Sequence, residues 1–302
     1  MKPFQKILTG ISVVILLSLL GGYCYFDYKF TPEKNYLLLN KQSGKIPITW
    51  LGTAKNALLV PIQFPGDPTT YYLQFDTGSP YTVFYSESVK NLKAIVVRHE
   101  RAKTTFHVGN TIVSADKFKV ISHGTARENG VKIIGTLGAD VLENRKTIIN
   151  FKENYLVFNL SKVPIEFRNK LFEFEFKKRK IILQGNLKGK QEKFLYDSGT
   201  SAYELLTSKE IWSGLKSPDS KIIIEKARSW QNVLTSYTAK CNSGIRFYTK
   251  ELPLREVTYV EGFSQTQYLL MKYSGMTGML GNKIFLDHSL YLDCSENKIG
   301  IE

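Results

Sequence analysis

The chain has 302 residues, of which 43% are hydrophobic, and it carries a formal net charge of +14. This length is enough for one large or two modest hydrophobic cores. The three cysteines and four histidines are scattered without metal-ligand spacing, and the segment GTLGAD at residues 135–140 lacks the lysine of a phosphate-binding loop. The sequence therefore predicts neither a metal site nor a cofactor.

The N-terminal segment is apolar: residues 7–26 carry no charged side chain and are mostly Ile, Leu, Val, Gly and aromatic residues. At about 1.5 Å per residue, a helix of this length crosses the apolar core of a bilayer. We therefore predict a signal-anchor transmembrane segment at residues 1–26 and a polar tether at residues 27–45. The single-pass protein would then hold its body outside the cytoplasm, in a periplasm or lumen. A cleaved signal peptide, with Lys2 and Lys6 as its basic end, is the alternative.

The rest of the chain has the pattern of an all-β protein, with short apolar runs broken by Gly, Pro, Asn and Asp. At residues 71–84, YYLQFDTGSPYTVF, Asp76 lies between two such runs, and Gly78 frees the backbone for a tight loop. The segments at residues 86–95 and 207–215 predict short helices. The first acid therefore lies in a loop between two buried strands.

A second copy of this pattern occurs downstream. Residues 193–206, KFLYDSGTSAYELL, repeat the arrangement around Asp197, and residues 135–158 align without a gap on residues 278–301. Each half contains an apolar run, an Asp-Thr/Ser-Gly loop, a second apolar run and a Gly-x-Leu-Gly segment. Because several segments repeat in the same order, the pattern indicates an internal duplication.

The paired motifs FDTGSP and YDSGTS, the two Gly-x-Leu-Gly segments and the closing YLDCSENKIGI resemble those of the pepsin-like and retropepsin-like aspartic proteases. The resemblance covers residues 46–302. It implies two β-rich lobes, at residues 46–165 and 166–302, with an active site in the cleft between them. It also implies an aspartic-type endopeptidase that acts as a monomer on peptide or protein substrates, with no cofactor and no nucleic acid as partner.

The resemblance implies roles for the residues of both acid loops. The Thr77 and Ser198 hydroxyls would lock the two loops to each other, and the Ser79 and Thr200 hydroxyls would bond the outer carboxylate oxygens. The glycines would let backbone amides approach the carboxylates. The dyad-supporting residues implied in this way are Thr77, Gly78, Ser79, Ser198, Gly199 and Thr200.

A pair of adjacent carboxylates suits the hydrolysis of a peptide bond, whose carbonyl is a poor electrophile and whose amine is a poor leaving group. Two carboxylates in close proximity share one proton, so Asp76 and Asp197 would provide an acid and a base at the same pH. The base takes a proton from water while the acid protonates the carbonyl oxygen. Two alternatives remain: a pair of surface-loop aspartates, and a membrane-anchored, non-catalytic peptide-binding protein of the same fold.

A candidate flap lies in the first half. Pepsin-like enzymes close their cleft with a first-half hairpin that carries a tyrosine, but residues 86–154 contain no Tyr or Trp. The hairpin pattern at residues 104–114, TTFHVGNTIVS, has Gly-Asn as its two-residue turn. It predicts Phe106 or His107 as the flap residue, with a core position for Phe106 as the alternative.

The cysteines and the basic run are interpreted separately. Cys241 and Cys294 are candidate disulfide partners if the compartment is oxidising. The run KKRK at residues 177–180 is interpreted as a solvated strand edge rather than a nucleic-acid contact, because lysines protect edges from pairing.

Overall fold

The computed structural model describes residues 3–122, 127–128, 130–229, 232–264 and 274–302. The chain divides into two compact units, Met1–Asn35 and Tyr36–Glu302. The first unit contains helix α1 (Pro3–Phe30). The second unit contains all the strands described below.

Within the second unit, α2 (Ser86–Val89) and α3 (Lys209–Leu215) lie where the sequence predicts short helices. Single turns of 3-10 helix cover Ala139–Val141, Ile165–Phe167, Ser198–Thr200 and Asn282–Phe285. The strands are β1 (Leu38–Asn40), β2 (Ile46–Pro47), β3 (Thr49–Leu51), β4 (Ala57–Ile62), β5 (Tyr71–Asp76), β6 (Val83–Tyr85), β7 (Val96–Arg98), β8 (Arg101–Val108), β9 (Thr111–Ile121), β10 (Arg127–Glu128), β11 (Val131–Gly138), β12 (Lys146–Asn150), β13 (Tyr155–Val157), β14 (Leu171–Glu173), β15 (Glu175–Lys177), β16 (Lys180–Leu187), β17 (Lys190–Tyr196), β18 (Leu205–Thr207), β19 (Ile223–Ser229), β20 (Asn232–Phe247), β21 (Lys250–Glu261), β22 (Gly278–Leu280), β23 (Ser289–Asp293) and β24 (Lys298–Ile301).

The structure corrects the prediction of a membrane-spanning signal anchor at residues 1–26. Among the residues that the structure describes, no helix is both long and apolar enough to cross a membrane. The single-pass topology and the extracytoplasmic position of the body are corrected with it.

The two largest sheets have the same strand order, as expected from the duplication. The first-half sheet runs β3-β4-β5-β11-β6-β9-β8-β7, with β1 paired to β9 and β10 to β11. The second-half sheet runs β15-β16-β17-β22-β18-β21-β20-β19. Thus β5 corresponds to β17, β11 to β22 and β6 to β18. In each half the strand before the acid loop runs parallel to the Gly-x-Leu-Gly strand, and the strand after the loop runs antiparallel to it.

A third sheet joins the two halves. Its order is β14-β24-β23-β12-β13-β2, and its central pair is β12 with β23, one strand from each half. A single hydrophobic cluster also extends through both halves and includes Phe75, Phe84, Tyr196 and Phe285. Because they share a sheet and a core, the predicted halves at residues 46–165 and 166–302 belong to one compact unit.

The predicted tether is also corrected for residues 36–45. Leu37 and Ser43 are buried, with 4% and 1% of their surface exposed. β1 pairs with β9 in the first-half sheet, and the Phe158 N–H donates to Ser43 Oγ at 2.8 Å. This segment is therefore part of the folded body, because its apolar residues and backbone groups find partners there.

Candidate active site

Two matching loops hold the candidate acids. Asp76 is the last residue of β5, and Asp197 directly follows β17. Gly138 of the Gly-x-Leu-Gly strand lies opposite Asp76, and the Asp197 N–H donates to the Leu280 carbonyl at 2.9 Å. Each motif strand lies between the two strands that flank its acid loop. Each acid loop therefore crosses the end of a motif strand.

That crossing explains the last glycine of each motif. A Cβ at Gly138 would overlap the backbone of Tyr81, and a Cβ at Gly281 would overlap the carbonyl groups of Thr200 and Tyr203. Tyr81, Thr200 and Tyr203 all belong to the segments that follow the two acids. A side chain at either glycine would therefore displace an acid loop.

The two acid loops are tied together by reciprocal buried hydrogen bonds. The Thr77 N–H donates to Ser198 Oγ and the Ser198 N–H donates to Thr77 Oγ1, both at 2.9 Å. Each hydroxyl donates to a carbonyl of the other half, Thr77 to Tyr196 at 3.0 Å and Ser198 to Phe75 at 2.9 Å. The geometry expected for Thr77 and Ser198 is therefore present in the structure.

This lock brings each carboxylate against the opposite loop. Asp76 Oδ1 accepts hydrogen bonds from the N–H groups of Gly78 at 2.8 Å and Ser79 at 3.1 Å, and Asp197 Oδ1 accepts one from Gly199 at 2.9 Å. A Cβ at Gly199 would lie 2.6 Å from Asp76 Oδ1, and a Cβ at Gly78 would lie 2.6 Å from Asp197 Oδ2. Only glycine at these two positions lets the carboxylates approach in this way.

The two acids form an electrostatically coupled pair that keeps part of its surface exposed. The pKa of Asp197 is raised well above the usual value for an aspartate, first because the protein removes water from its carboxyl group and second because Asp76 is negatively charged. The Gly199 N–H and the Lys180 ammonium group oppose this rise, because both favour the ionised form. The pair can therefore hold a proton at a pH where an exposed aspartate has lost it.

The structure corrects the roles expected for the Ser79 and Thr200 hydroxyls. Ser79 Oγ donates to the Tyr81 carbonyl at 2.9 Å, and Thr200 Oγ1 donates to the backbone carbonyl of Asp197 at 2.8 Å. Both hydroxyls thus stabilise the turns of their own loops rather than the outer carboxylate oxygens. Of these two residues, only Ser79 donates a hydrogen bond to a carboxylate, through its backbone N–H.

The basic run at residues 177–180 forms the hairpin turn between β15 and β16. Lys177 is exposed on the edge strand β15, as interpreted from the sequence, but Arg179 is buried, and for this residue the interpretation as a solvated edge is corrected. Lys178 and Arg179 join β15 to β16 with positive φ angles of 52° and 59°. Arg179 is only 3% exposed. Its guanidinium group donates to the Pro80 carbonyl at 3.1 Å and contacts Glu143 Oε2 at 2.9 Å. The turn can bury this arginine against residues of the first half because Glu143 compensates its charge there.

Lys180 was not predicted to belong to the site. It is the first residue of β16, and its Nζ donates to the Gly78 carbonyl in the first acid loop. Its charge also acts on Asp197, as described above. The sequence does place a basic turn before the strands that lead to Asp197. It gives no sign that this turn meets Gly78, because that contact joins residues 102 positions apart.

Asp140 is a further buried acid beside the first acid loop. Only 1% of its surface is exposed, and its carboxylate accepts hydrogen bonds from the Thr82 N–H at 2.6 Å and the Thr82 hydroxyl at 2.7 Å. Burial raises the pKa of Asp140 to about 6, although the Thr82 hydrogen bonds and the Arg179 charge act against this rise. Asp140 therefore supports the loop that carries Asp76.

An apolar cavity of about 740 Å³ lies beside β17 in the second half. Leu195 lines it and precedes Asp197 by two positions, so the two side chains leave the extended backbone on the same side. Met279 lies opposite Leu195 on the neighbouring strand β22. The lining also includes Ile211, Tyr259 and Met276. The cavity is large enough for a bulky apolar side chain.

The candidate flap residues do not form a lid over the acids. Phe106 is fully buried and packs against Phe64, Phe84 and Phe118 in the first-half core. His107 makes a backbone bridge with Gln63. The predicted two-residue turn does form between β8 and β9, but it packs against the segment around Ser43. The core alternative for Phe106 is thus the correct one.

The candidate disulfide is not formed. Cys241 and Cys294 are both buried free thiols. Cys241 lies on β20 of the second-half sheet, whereas Cys294 directly follows β23 of the sheet that joins the halves. Within the described part of the chain, no cluster of His, Cys, Asp and Glu could hold a metal ion.

Comparison of the chain with models of protein families found no match, and comparison with curated proteins found none either.

Proposed function

We propose that the protein is an aspartic endopeptidase that hydrolyses peptide bonds with a water molecule activated between Asp76 and Asp197. The observation that carries the proposal is the reciprocal packing of each carboxylate against the glycine of the other acid loop. This close packing is not expected if the two acids are ordinary surface-loop aspartates. The buried hydrogen bonds between Thr77 and Ser198 hold the two acids in that arrangement.

The chemistry follows from one proton shared by two acids. The ionised carboxylate takes a proton from water, and the resulting nucleophile attacks the peptide carbonyl carbon while the protonated carboxyl group donates to its oxygen. In the second step the protonated carboxyl group donates to the leaving nitrogen and the C–N bond breaks. The ionised carboxylate takes a proton from a hydroxyl group of the tetrahedral intermediate, so the pair again holds one proton. The raised pKa of Asp197 supports this scheme, because one proton must stay on the pair.

The surroundings favour a peptide as substrate. The pair is partly exposed, so a ligand can reach it. The apolar cavity on the Asp197 side of β17 suits a large apolar side chain next to the bond that is cleaved. A non-catalytic peptide-binding protein would use the same cavity, and only turnover separates the two functions.

The test is cleavage of a mixed peptide library by the full chain, with products identified by mass spectrometry. We expect cleavage, inhibition by a statine-containing transition-state analogue, and loss of activity in both Asp76→Asn and Asp197→Asn. Asp287→Asn is the matched control, because Asp287 is 72% exposed and pairs only with Arg255 among the described residues. Binding without cleavage by the wild type would favour the peptide-binding protein, and full activity in either dyad variant would refute the assignment.

A further inference from the structure

We propose that Lys180 determines substrate specificity: its ammonium group binds a carboxylate of the peptide substrate, on an Asp or Glu side chain next to the scissile bond. This inference rests on the proposed function, because it names the substrate class of the same site. It assigns a role to a basic residue that the two-acid chemistry does not require.

The position of Lys180 is fixed by the hairpin turn that precedes it. Arg179 is buried against the first half through the Pro80 carbonyl and Glu143. Since Lys180 is the next residue, the start of β16 cannot move away from the first acid loop without breaking those contacts. Lys180 therefore reaches the Gly78 carbonyl from a rigid support rather than from a free surface.

The location of the ammonium group places it next to the reacting centre. Gly78 follows Asp76 by two residues, and a Cβ at this position would overlap the Asp197 carboxylate. A cation on the Gly78 carbonyl therefore lies in the first acid loop, and its electrostatic effect on Asp197 is consistent with that position. A substrate whose carbonyl lies between the acids would bring its adjacent residues close to Lys180.

The charge of Lys180 is what makes a carboxylate the complementary group. An ammonium group has three N–H donors, and the Gly78 carbonyl is a neutral acceptor. Among the described residues Lys180 forms no salt bridge, whereas its neighbour Arg179 pairs with Glu143. Lys180 is also partly exposed, while Arg179 is not. A ligand carboxylate can therefore reach Lys180 and form a charge-assisted hydrogen bond in a partly desolvated site.

The experiment compares two statine-containing peptide analogues that differ only in having a Glu or a Gln next to the statine. Each pair of analogues is made twice, once with this residue before the statine and once with it after the statine. Calorimetry gives their affinities for the full-length wild type. We expect the Glu analogue to bind about tenfold more tightly at one position, the usual effect of one hydrogen bond to a charged group. Lys180→Met should remove this preference, and Lys180→Glu should reverse it, so that the Gln analogue binds more tightly than the Glu analogue.

Lys190→Glu is the matched control for charge, because Lys190 is an exposed residue at the start of β17, the strand paired with β16. It should keep the wild-type preference. Thermal unfolding of each variant checks that the fold is retained, and Lys180→Met serves if Lys180→Glu does not fold. An equal affinity for the two analogues in the wild type, no affinity for either, or an unchanged preference in Lys180→Met would each overturn the assignment of Lys180.

The two proposals fail in distinguishable ways. Cleavage of neutral peptides without discrimination between Glu and Gln would leave the endopeptidase in place and refute the role of Lys180. A preference for Glu that depends on Lys180, without cleavage of any peptide, would refute hydrolysis and leave the carboxylate-binding role of Lys180 in place.

Discussion

Thr77 and Ser198 each accept a hydrogen bond from the other's backbone N–H at 2.9 Å, although 121 positions separate them in the chain. Both side chains are completely buried, and each hydroxyl also donates to a carbonyl of the opposite half. The distance between the two acids thus depends on groups that take no part in proton transfer.

Ser198→Ala should lower both stability and peptide cleavage. The substitution leaves the Thr77 N–H and the Phe75 carbonyl buried without these partners, which costs about 3 kcal/mol in the free energy of unfolding. Denaturant unfolding measures the loss, and peptide cleavage by the same sample reports the displacement of the acids. Ser198→Thr keeps the hydroxyl and should stay within about 1 kcal/mol of the wild type. A fully stable and active alanine variant would contradict the role of the lock.

Gly78→Ala should strongly lower the rate of cleavage while the chain still folds. The added Cβ would overlap the Asp197 carboxylate, so one of the acids must move. A displacement of about 1 Å is enough to lower the rate on the order of a hundredfold. Gly214→Ala is the matched control, because a Cβ there meets no atom within 4 Å and lies in α3. It should leave activity unchanged and stabilise the helix by about 0.5–1 kcal/mol.

Lys180→Met should shift the alkaline limb of the pH–activity profile to higher pH when a neutral peptide is the substrate. Activity requires one proton on the pair and is lost when that proton leaves as pH rises. The Lys180 charge lowers the pKa of Asp197, so its removal lets the pair keep the proton longer. Lys180→Arg keeps the charge and should preserve the profile. A limb that stays in place in Lys180→Met would show that the ammonium group does not act on the acids, and a limb that moves toward lower pH would show an effect of the opposite sign.

Asp140→Asn should remove one pH dependence of stability. The pKa of Asp140 is about 6 in the folded chain and 3.8 in an ordinary aspartate, so the unfolded chain releases this proton first as pH rises. The contribution of Asp140 to wild-type stability is therefore complete below about pH 4 and is lost as pH rises through about 6, by about 3 kcal/mol. Asparagine does not titrate. The free energy of unfolding of the wild type should thus fall relative to that of the variant between about pH 4 and 6. Chemical unfolding at a series of pH values measures this difference. A difference that stays constant over this range would contradict the prediction.

The sequence predicted the features that depend on local pattern and on internal repetition. Alternating apolar runs predict strands, and the repeated segments around Asp76 and Asp197 predict two equivalent acid loops, because the same pattern in the same order requires the same strand pairing. The short helices α2 and α3 also lie at predicted positions, each in a segment that follows an acid loop.

The predictions failed where one sequence pattern is compatible with several tertiary environments. The apolar residues that precede Asp27 predicted a membrane span that the described residues do not support. Phe106 lies in an apolar hairpin, a pattern shared by lid and core residues, and only the contacts with Phe84 and Phe118 identify it as core. The hydroxyls of Ser79 and Thr200 have several acceptors within reach, and the turn geometry selects the backbone carbonyls.

The sequence by itself determined that two Asp-Thr/Ser-Gly loops exist and that they are equivalent. Only the tertiary structure decided that they meet, because the contacts that join them are made by buried hydroxyls and glycines far apart in the chain. The same holds for Lys180, whose ammonium group reaches Gly78 because Arg179 finds a buried partner in Glu143. A run of basic residues shows that positive charges are present, but it does not show which hydrogen-bond acceptors they contact. Those acceptors come from a different part of the fold.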